Sequence, residues 1–303
     1  MYRKQNGRVN DSWMVLLALL ISSLLLVCSG CSAVQSEEQP AAEEQPVVRL
    51  AYVDWASEIA SAHVVKAVIE KHIGLPCELL EVTALSMWES VAAGDQDAMV
   101  AAWLPTLQDH YYLQVADRVE LLGPNLEGVS MGLVVPAYVP LERIEELADH
   151  IDEFDGRIIG IDPEAGLTES TRQAMELYGL DEFELVTGSD MTMTSALEIA
   201  INEHRWVVVT GWTPHWKFAR WDLKYLDDPE KVFGESEYIG TVVRQGLSVD
   251  LPEVYHFLNN FYWSAEDMNQ VMYWFTHESM SPADAASRWI NENENLVMQW
   301  LPD

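Results

Sequence analysis

The stretch VVVTGW at residues 207–212 is a short, β-branched run that ends in a tryptophan. Two other stretches have the same form, LAYVDW at 50–55 and AMVAAW at 98–103. Runs this short, bounded by turn residues, predict buried strands of a parallel sheet. Side chains just past the carboxyl ends of such strands line the crevice in which open α/β sheets bind ligands. The pattern therefore predicts three tryptophans at one crevice.

Trp55, Trp103 and Trp212 are predicted to form a cage for a cation. The face of an indole ring attracts cations, and several faces together suit a quaternary ammonium group. For any one of the three, ordinary packing of a large aromatic side chain is the alternative. Three tryptophans at the same topological position favour a binding site over packing.

Strands and helices alternate along most of the chain, which predicts an α/β fold built on parallel sheet. The alternation is interrupted at 132–136, where proline suits a crossing segment better than a central strand, and 241–244 has the pattern of a return crossing. We therefore expect two lobes with two hinge crossings, each lobe a mainly parallel sheet flanked by helices. Lobe 1 comprises 47–136 plus 242–303, and lobe 2 comprises 137–241. Such a layout can close on a ligand by hinge motion.

The individual elements follow from the apolar runs and from the turn residues that bound them. Predicted strands span 48–53, 78–82, 98–102, 157–161, 183–186 and 206–210. Predicted helices span 57–72, 86–93, 141–150, 168–178, 194–204, 252–263, 264–276 and 281–291.

The amino-terminal region has the pattern of a bacterial lipoprotein signal peptide, predicted to span 1–30. Basic residues precede an apolar stretch at 13–27, and Ser29-Gly30 precede Cys31. Cleavage there would leave Cys31 lipidated, so we expect an extracytoplasmic protein anchored to the cell membrane by lipid. An uncleaved anchor is the alternative. The segment 31–46 is rich in Glu, Gln, Ala and Pro and is predicted to be a flexible tether.

Charge and cysteine content restrict the possible partners and chemistry. The formal net charge of −32 argues against binding of nucleic acid or anionic lipid. It suits work in high salt, although a solvated acidic surface is the simpler interpretation. Without Cys28 and Cys31, Cys77 is alone, so no disulfide framework is expected. The sequence contains no metal-ligand motif and no serine-hydrolase elbow. We therefore expect no metal, no cofactor and no enzymatic activity. Among enzymes, one that uses a pair of carboxylates is the remaining alternative.

The loop GIDPEAGLT at 160–168 is predicted to contribute an anion site. A strand ends, Gly and Pro turn the chain, and a helix begins near Thr168. Unpaired amides at a helix start bind anions, and Gly166 would allow a ligand to approach the backbone closely. The alternative is an ordinary turn in which Thr168 caps its own helix. A cation cage and an anion site on facing lobes together describe a zwitterion.

Several stretches resemble the substrate-binding proteins of glycine betaine/proline betaine ABC importers, the OpuAC-like family. The resemblance covers nearly all of 47–300. The stretches that carry it are LAYVDW at 50–55, AWLPT at 102–106, MGLVVP at 131–136, GIDP at 160–163, TGWTPHW at 210–216 and LKYLDDP at 223–229.

The resemblance implies a two-lobed, type II-like periplasmic-binding-protein fold. It also implies an aromatic prism of Trp55, Trp103 and Trp212 around a trimethylammonium group, with the ligand carboxylate on the amides of Gly166 and Leu167. The expected role is to capture a betaine-type compatible solute and deliver it to a membrane permease for osmoprotection. We expect a monomer that performs no covalent chemistry.

One position departs from the family pattern. A histidine that contacts the carboxylate usually stands five residues after the tryptophan of the Trp-Leu-Pro motif, and here that position is Gln108. His110 lies about 200° away on a helix and is a poor substitute. Glutamine donates a neutral hydrogen bond, which is weaker than a bond to a charged partner. We therefore expect either weaker binding of the ligand carboxylate or a ligand whose anionic end differs. Choline and carnitine, and a sensory module of the same fold, remain alternatives.

Other aromatic residues near the cage are expected to have supporting roles. His215 and Trp216 are predicted to orient Trp212 from behind. Trp88, Tyr111 and Tyr112 are predicted to belong to the core or to the rim of the cleft rather than to the ligand walls.

Overall fold

The computed structural model describes residues 45–235 and 237–302. The predicted signal peptide, the lipidation site Cys31 and the tether up to residue 44 lie outside the described residues. Within the described ranges, no helix combines the length and the apolar character needed to cross a membrane.

Nine strands of the described chain form one mixed sheet, in the order β2-β1-β3-β9-β4-β7-β5-β6, with β8 paired to β4. The strands are β1 Val48–Tyr52, β2 Cys77–Glu81, β3 Ala98–Leu104, β4 Val119–Pro136, β5 Arg157–Ile159, β6 Glu184–Val186, β7 Val208–Thr213, β8 Leu223–Tyr225 and β9 Glu237–Arg244.

The sheet consists of two parallel groups joined by antiparallel strands. In the first half-sheet, β1 pairs in parallel with β2 and β3. In the second half-sheet, β5 pairs in parallel with β6 and β7. The long strands β4 and β9 run antiparallel to each other between the two groups. The predicted α/β class with two mainly parallel groups is therefore confirmed.

Strand β4 is longer than the sequence suggested. Its first part pairs with β9, and from Ser130 it pairs with β7. The stretch 132–136, predicted to be a crossing segment, is thus the end of a strand, because Pro136 lies at the last position, where a missing N–H interrupts little of the ladder. The stretch 241–244 likewise belongs to the central strand β9. The lobe boundaries remain a prediction.

Helices cover both groups. They are α1 Ala56–Val68, α2 Ala84–Ala93, α3 Asp109–Val115, α4 Gly166–Leu177, α5 Asp190–Asn202, α6 Lys217–Arg220, α7 Leu247–Asp250, α8 Pro252–Asn260, α9 Ala265–His277, α10 Pro282–Glu292 and α11 Glu294–Val297.

Three helix predictions differ from the structure in their detail. The helix predicted at 141–150 is a 3-10 helix over Ile144–His150. Helix α5 begins four residues before its predicted start, because Ser189 accepts a hydrogen bond from the Thr192 N–H and caps the helix there. After α1, one π-helical turn, Ile69–Ile73, ends at Gly74 in a left-handed conformation.

Many of the tryptophans serve the core rather than the cleft. Trp289 packs edge-on against Trp263 at 5.6 Å and stacks on Trp300 at 5.9 Å, so the C-terminal helices share one aromatic cluster. Its indole N–H donates to Asp267, which satisfies the polar edge of a buried ring. Helix α10 packs on α1 and fixes this cluster behind the first half-sheet. Cys77 is buried, and burial raises the pKa of its thiol to about 12, as expected of an unreactive packed cysteine.

Candidate ligand-binding cleft

The three predicted cage tryptophans line one cavity between the two half-sheets. The cavity also contains each predicted anion-site residue. Its lining consists of Trp55, Trp103, Leu107, Gln108, Ile161, Gly166, Leu167 and Trp212. The structure thus brings together, around one cavity, residues that lie far apart in the sequence.

The cage tryptophans do not all lie beyond strand ends, as the sequence suggested. Trp55 lies after β1 and immediately precedes α1. Trp103 and Trp212 are inside β3 and β7, because both strands continue two or three residues past their predicted ends. Trp103 stands opposite Ile239 of β9, and Trp212 stands opposite Met131 of β4. Their ring positions are therefore fixed by the strand ladders.

The indole N–H groups of two cage walls donate hydrogen bonds across the cleft. Trp55 Nε1 donates to Asp162 Oδ2 at 2.7 Å, and Trp212 Nε1 donates to Ser57 Oγ at 3.2 Å. Trp103 Nε1 is buried and has no hydrogen-bond partner among the described residues. Two of the three predicted cage tryptophans are thus held by residues of the opposite half-sheet.

Further hydrogen bonds join the two sides at the edges of the cavity. The Ala56 N–H donates to Asp190 Oδ2 at 3.1 Å, and the Tyr111 hydroxyl donates to the Glu164 carbonyl at 2.7 Å. These bonds connect the two sides of the cleft. Tyr111 is a rim residue, as predicted, and its bond to the opposite side is a feature that the sequence did not reveal.

The anion end of the cavity is the first turn of α4. The helix begins at Gly166, two residues before its predicted start, and Ala165 is the N-cap. The amides of Gly166 and Leu167 donate to no described residue, as is typical of a first helical turn. The Thr168 hydroxyl donates to the Asp162 carbonyl at 2.8 Å and does not cap the helix. Two free N–H groups at the positive end of the helix dipole therefore belong to the cavity wall.

Gly166 is required by the contact between the two sides of the cleft. A Cβ atom at this position would lie 2.0 Å from the backbone oxygen of Leu107 and 2.6 Å from its carbonyl carbon. The sequence suggested that glycine admits a ligand to the backbone. The structure shows that it admits the opposite wall of the cleft, and the close approach of a ligand stays a prediction.

Gln108 lies at the cavity with a defined amide orientation. Its Oε1 accepts hydrogen bonds from Trp88 Nε1 at 3.1 Å and from the Trp103 N–H at 3.3 Å. Because both partners are donors, the oxygen must face them, and the NH₂ group is left for the cavity. Trp88 is a core residue, as predicted, but its role in orienting Gln108 was not visible in the sequence.

His215 supports Trp212 from behind, as predicted. Its ring meets the Trp212 ring edge-on, with centroids 4.6 Å apart and an interplanar angle of 90°. His215 Nε2 lies 3.0 Å from Asp190 Oδ1, while Nδ1 accepts the Lys217 N–H at 3.1 Å. The imidazole is therefore neutral, with its proton on Nε2. Burial, helped by nearby Lys217, lowers the pKa of His215 to about 4, which agrees with this assignment.

Carboxylates surround the outer side of the cage. Asp54, Glu81, Asp162 and Glu164 line a groove beside it. Burial raises the pKa of Asp54, and the neighbouring carboxylates Glu81, Asp190 and Asp162 raise it further. Such a negative approach attracts cations. The described residues contain no cluster of His, Cys, Asp and Glu that could hold a metal ion.

The family model for the substrate binding domain of ABC-type glycine betaine transport systems matches residues 46–292. The chain belongs to this family. The match includes both half-sheets and every residue that lines the cavity. The family resemblance predicted from the sequence motifs is thereby confirmed.

Relatives of the OpuAC family agree with this assignment. The glycine betaine/carnitine transport binding protein GbuC of Listeria monocytogenes serotype 1/2a is 43% identical over 163 residues, which are 53% of this chain and 53% of that protein. The chain therefore spans about half the length of this curated relative.

Solved structures of similar proteins give the fold. Closed-liganded lactococcal OpuAC, complexed with glycine betaine, is 37% identical with a TM-score of 0.81, over 85% of this chain and 100% of that chain. An ABC-transporter choline binding protein in complex with choline is 25% identical with a TM-score of 0.78, over 84% of this chain and 91% of that chain. The predicted periplasmic-binding-protein fold is confirmed. These similar proteins are binding proteins and not enzymes, in agreement with the prediction for this chain.

Proposed function

We propose that the protein is the extracytoplasmic receptor of an ABC importer and captures glycine betaine or proline betaine for osmoprotection. The observation that carries this proposal is the single cavity in which three tryptophans stand together with two free helix-start amides. A quaternary ammonium group would lie among the rings and a carboxylate against the amides. The receptor then delivers its ligand to the membrane permease without covalent chemistry.

The cation end relies on Trp55, Trp103 and Trp212. Each ring is at most 5% exposed, so its π face acts in a water-poor space, where a cation–π contact contributes roughly 0.5–2 kcal/mol. The carboxylate of Asp162 accepts the Trp55 indole N–H at 2.7 Å. That contact adds negative potential to the wall that meets the cation.

The anion end relies on the amides of Gly166 and Leu167 and on the NH₂ group of Gln108. Three donors that line one cavity suit a carboxylate, and hydrogen bonds to a charged acceptor are roughly twice as strong as neutral ones. Gln108 provides a donor that is uncharged at every pH. This end supports a betaine over choline, which has no carboxylate.

We further propose that the lobes 47–136 plus 242–303 and 137–241 close around the ligand, with β4 and β9 as the crossing strands. The hydrogen bonds of Trp55, Trp212, Ala56 and Tyr111 across the cleft support this motion, since each would break on opening. The lipid anchor at Cys31 and the monomeric state are part of the same proposal.

The alternatives differ in ligand or in partner. The similarity to a choline binding protein supports choline as a second ligand candidate, and the similarity to a glycine betaine/carnitine binding protein supports carnitine. A sensory module of the same fold would bind the same ligands but signal to a membrane partner. A permease and an ATPase encoded beside the protein would favour transport.

Calorimetric titration with glycine betaine, proline betaine, carnitine and choline tests the proposal. Trp212→Ala is expected to weaken binding of the preferred ligand at least tenfold, because it removes one cage wall. Trp206→Ala is the matched control, since Trp206 packs on Phe154 in the second half-sheet and does not line the cavity. An unchanged Kd for Trp212→Ala would refute the cage, and binding of none of the four compounds would refute the ligand class.

A further inference from the structure

Lys217 is a buried cation directly behind a wall of the cage. It begins α6, four residues after the end of β7, and its side chain is fully buried. Its Nζ lies over the Trp212 ring, 4.2 Å from the centroid. Trp212 lines the cavity but Lys217 does not. The ammonium group therefore contacts the Trp212 ring from outside the ligand space.

The ammonium group of Lys217 has an unusual environment for a buried charge. Nζ has no hydrogen-bond partner among the described residues. The titratable groups that face it are Asp190, at the start of α5, and His215, in the preceding turn. His215 is neutral, as its hydrogen bonds require. Asp190 directs its oxygens to His215 and to the Ala56 N–H, so it attracts Lys217 without forming a close ion pair.

We propose that Lys217 sets the cation affinity of the cage through Trp212, so that capture of a quaternary ammonium ligand expels a proton from Lys217. The proposal rests on the proposed function, because it requires a cation on the cavity face of Trp212. Lys217 is a positioning residue in this scheme and does not contact the ligand. The proton leaves the ammonium group for bulk solvent, and a neutral amine remains behind the ring.

The physical reason is that one ring cannot favour two cations equally well. The Lys217 ammonium lies 4.2 Å from the Trp212 ring centroid, and a ligand cation across the ring at a similar cation–π distance would lie roughly 9 Å from it. At an effective permittivity of about 20, the repulsion between two such charges weakens binding of the ligand to the charged form roughly 20-fold. Loss of the proton removes this repulsion and leaves the negative charge of Asp190 to attract the ligand.

The side chain can respond near neutral pH. Burial lowers the pKa of Lys217 to about 7, although Asp190 acts to raise it. The charged and the neutral form of Lys217 are therefore both populated in the free protein at neutral pH. A ligand cation on the Trp212 ring lowers the pKa of Lys217 further. Binding is expected to be weakest below pH 6, where the free protein holds the charged form, and to reach a plateau above pH 8.

Calorimetry of glycine betaine binding in two buffers of different ionisation enthalpy measures the proton release directly. For the wild-type protein at pH 7 we expect release of a substantial fraction of one proton, vanishing at pH 9. Lys217→Met is expected to release none, to show a flat affinity between pH 6 and 8, and to bind roughly tenfold more tightly than wild type at pH 6. Lys224→Met is the control and should behave as wild type, since Lys224 pairs with Glu142 away from the cavity.

Two results would overturn the proposal. One is binding of glycine betaine by the wild type with no net proton exchange between pH 6 and 7.5. The other is a proton release that persists in Lys217→Met, which would assign it to another group, such as buried Glu58. The wild-type measurement decides the question even if the variant does not fold. Absence of any binding heat would count against the proposed function instead. The groups at the anion end cannot account for a proton release on ligand binding, because Gln108 and the two amides do not titrate.

Discussion

Replacing Gly166 by alanine should separate ligand affinity from protein stability. The added Cβ would lie 2.0 Å from the Leu107 oxygen, whereas an ordinary contact needs about 3.4 Å, so the walls must move apart by more than 1 Å. The atom in the way is backbone and cannot rotate aside. Gly166 is the first residue of α4 with ordinary helical geometry, so alanine is intrinsically the better residue there by up to about 1 kcal/mol.

The expected loss of ligand affinity follows from the contacts that form when the cleft closes. The bonds of Trp55, Trp212, Ala56 and Tyr111 across the cleft each contribute about 1 kcal/mol, and the cage needs walls from both sides. If the variant cannot close fully, we expect glycine betaine affinity to fall at least 100-fold, or about 2.7 kcal/mol. The melting temperature without ligand should stay equal or rise.

Calorimetry and thermal unfolding of Gly166→Ala test this expectation together. Glu169→Ala is the matched control, because it changes an exposed residue of the same helix. If Gly166→Ala bound glycine betaine as tightly as wild type, the argument from close approach would be refuted. If it melted well below wild type without ligand, the loss of affinity could not be assigned to closure.

Three further outcomes concern the anion end and the buried lysine. Trp88→Phe removes one of the two donors that orient Gln108 and should weaken glycine betaine about fivefold while choline is unaffected, as measured by calorimetry. Gln108→His should strengthen binding of glycine betaine below about pH 6.5, where imidazole is charged, and weaken binding of choline. Equal changes in affinity for both ligands would contradict the placement of residue 108 beside the ligand carboxylate. Because Lys217 has a lowered pKa in the folded state, the unfolded state binds more protons above about pH 7, so stability should rise with pH. Between pH 7 and 9 the urea unfolding free energy of wild type should gain about 2 kcal/mol relative to Lys217→Met.

The meeting of the three tryptophans at one cavity could be predicted because its signal is local. Trp55, Trp103 and Trp212 each close an apolar run, and both the run and the tryptophan are visible within six residues of sequence. The amides of Gly166 and Leu167 follow in the same way from a turn and a helix start. Local patterns of this kind survive folding because strand and helix geometry determines where neighbouring residues point.

The relations that tune the site could not be predicted because they join distant residues. Asp190 meets the Ala56 amide 134 positions away, and Trp88 meets Gln108 across 20 positions. The burial of Lys217 has no signal in the sequence, since lysine is rarely buried without a partner. The first part of β4 was missed because its glycines and register shifts conceal the alternation of a strand.

The indole hydrogen bonds connect ligand recognition to closure. Trp55 belongs to the first half-sheet but donates to Asp162 of the second, and Trp212 belongs to the second but donates to Ser57 of the first. Opening would release both N–H groups and free the rings to turn, so the complete cage exists only in the closed cleft. A cation that stabilises the cage must therefore stabilise closure by the same free energy. For this reason a change at Gly166, which leaves all three rings in place, should weaken ligand binding at least as much as removing one wall of the cage.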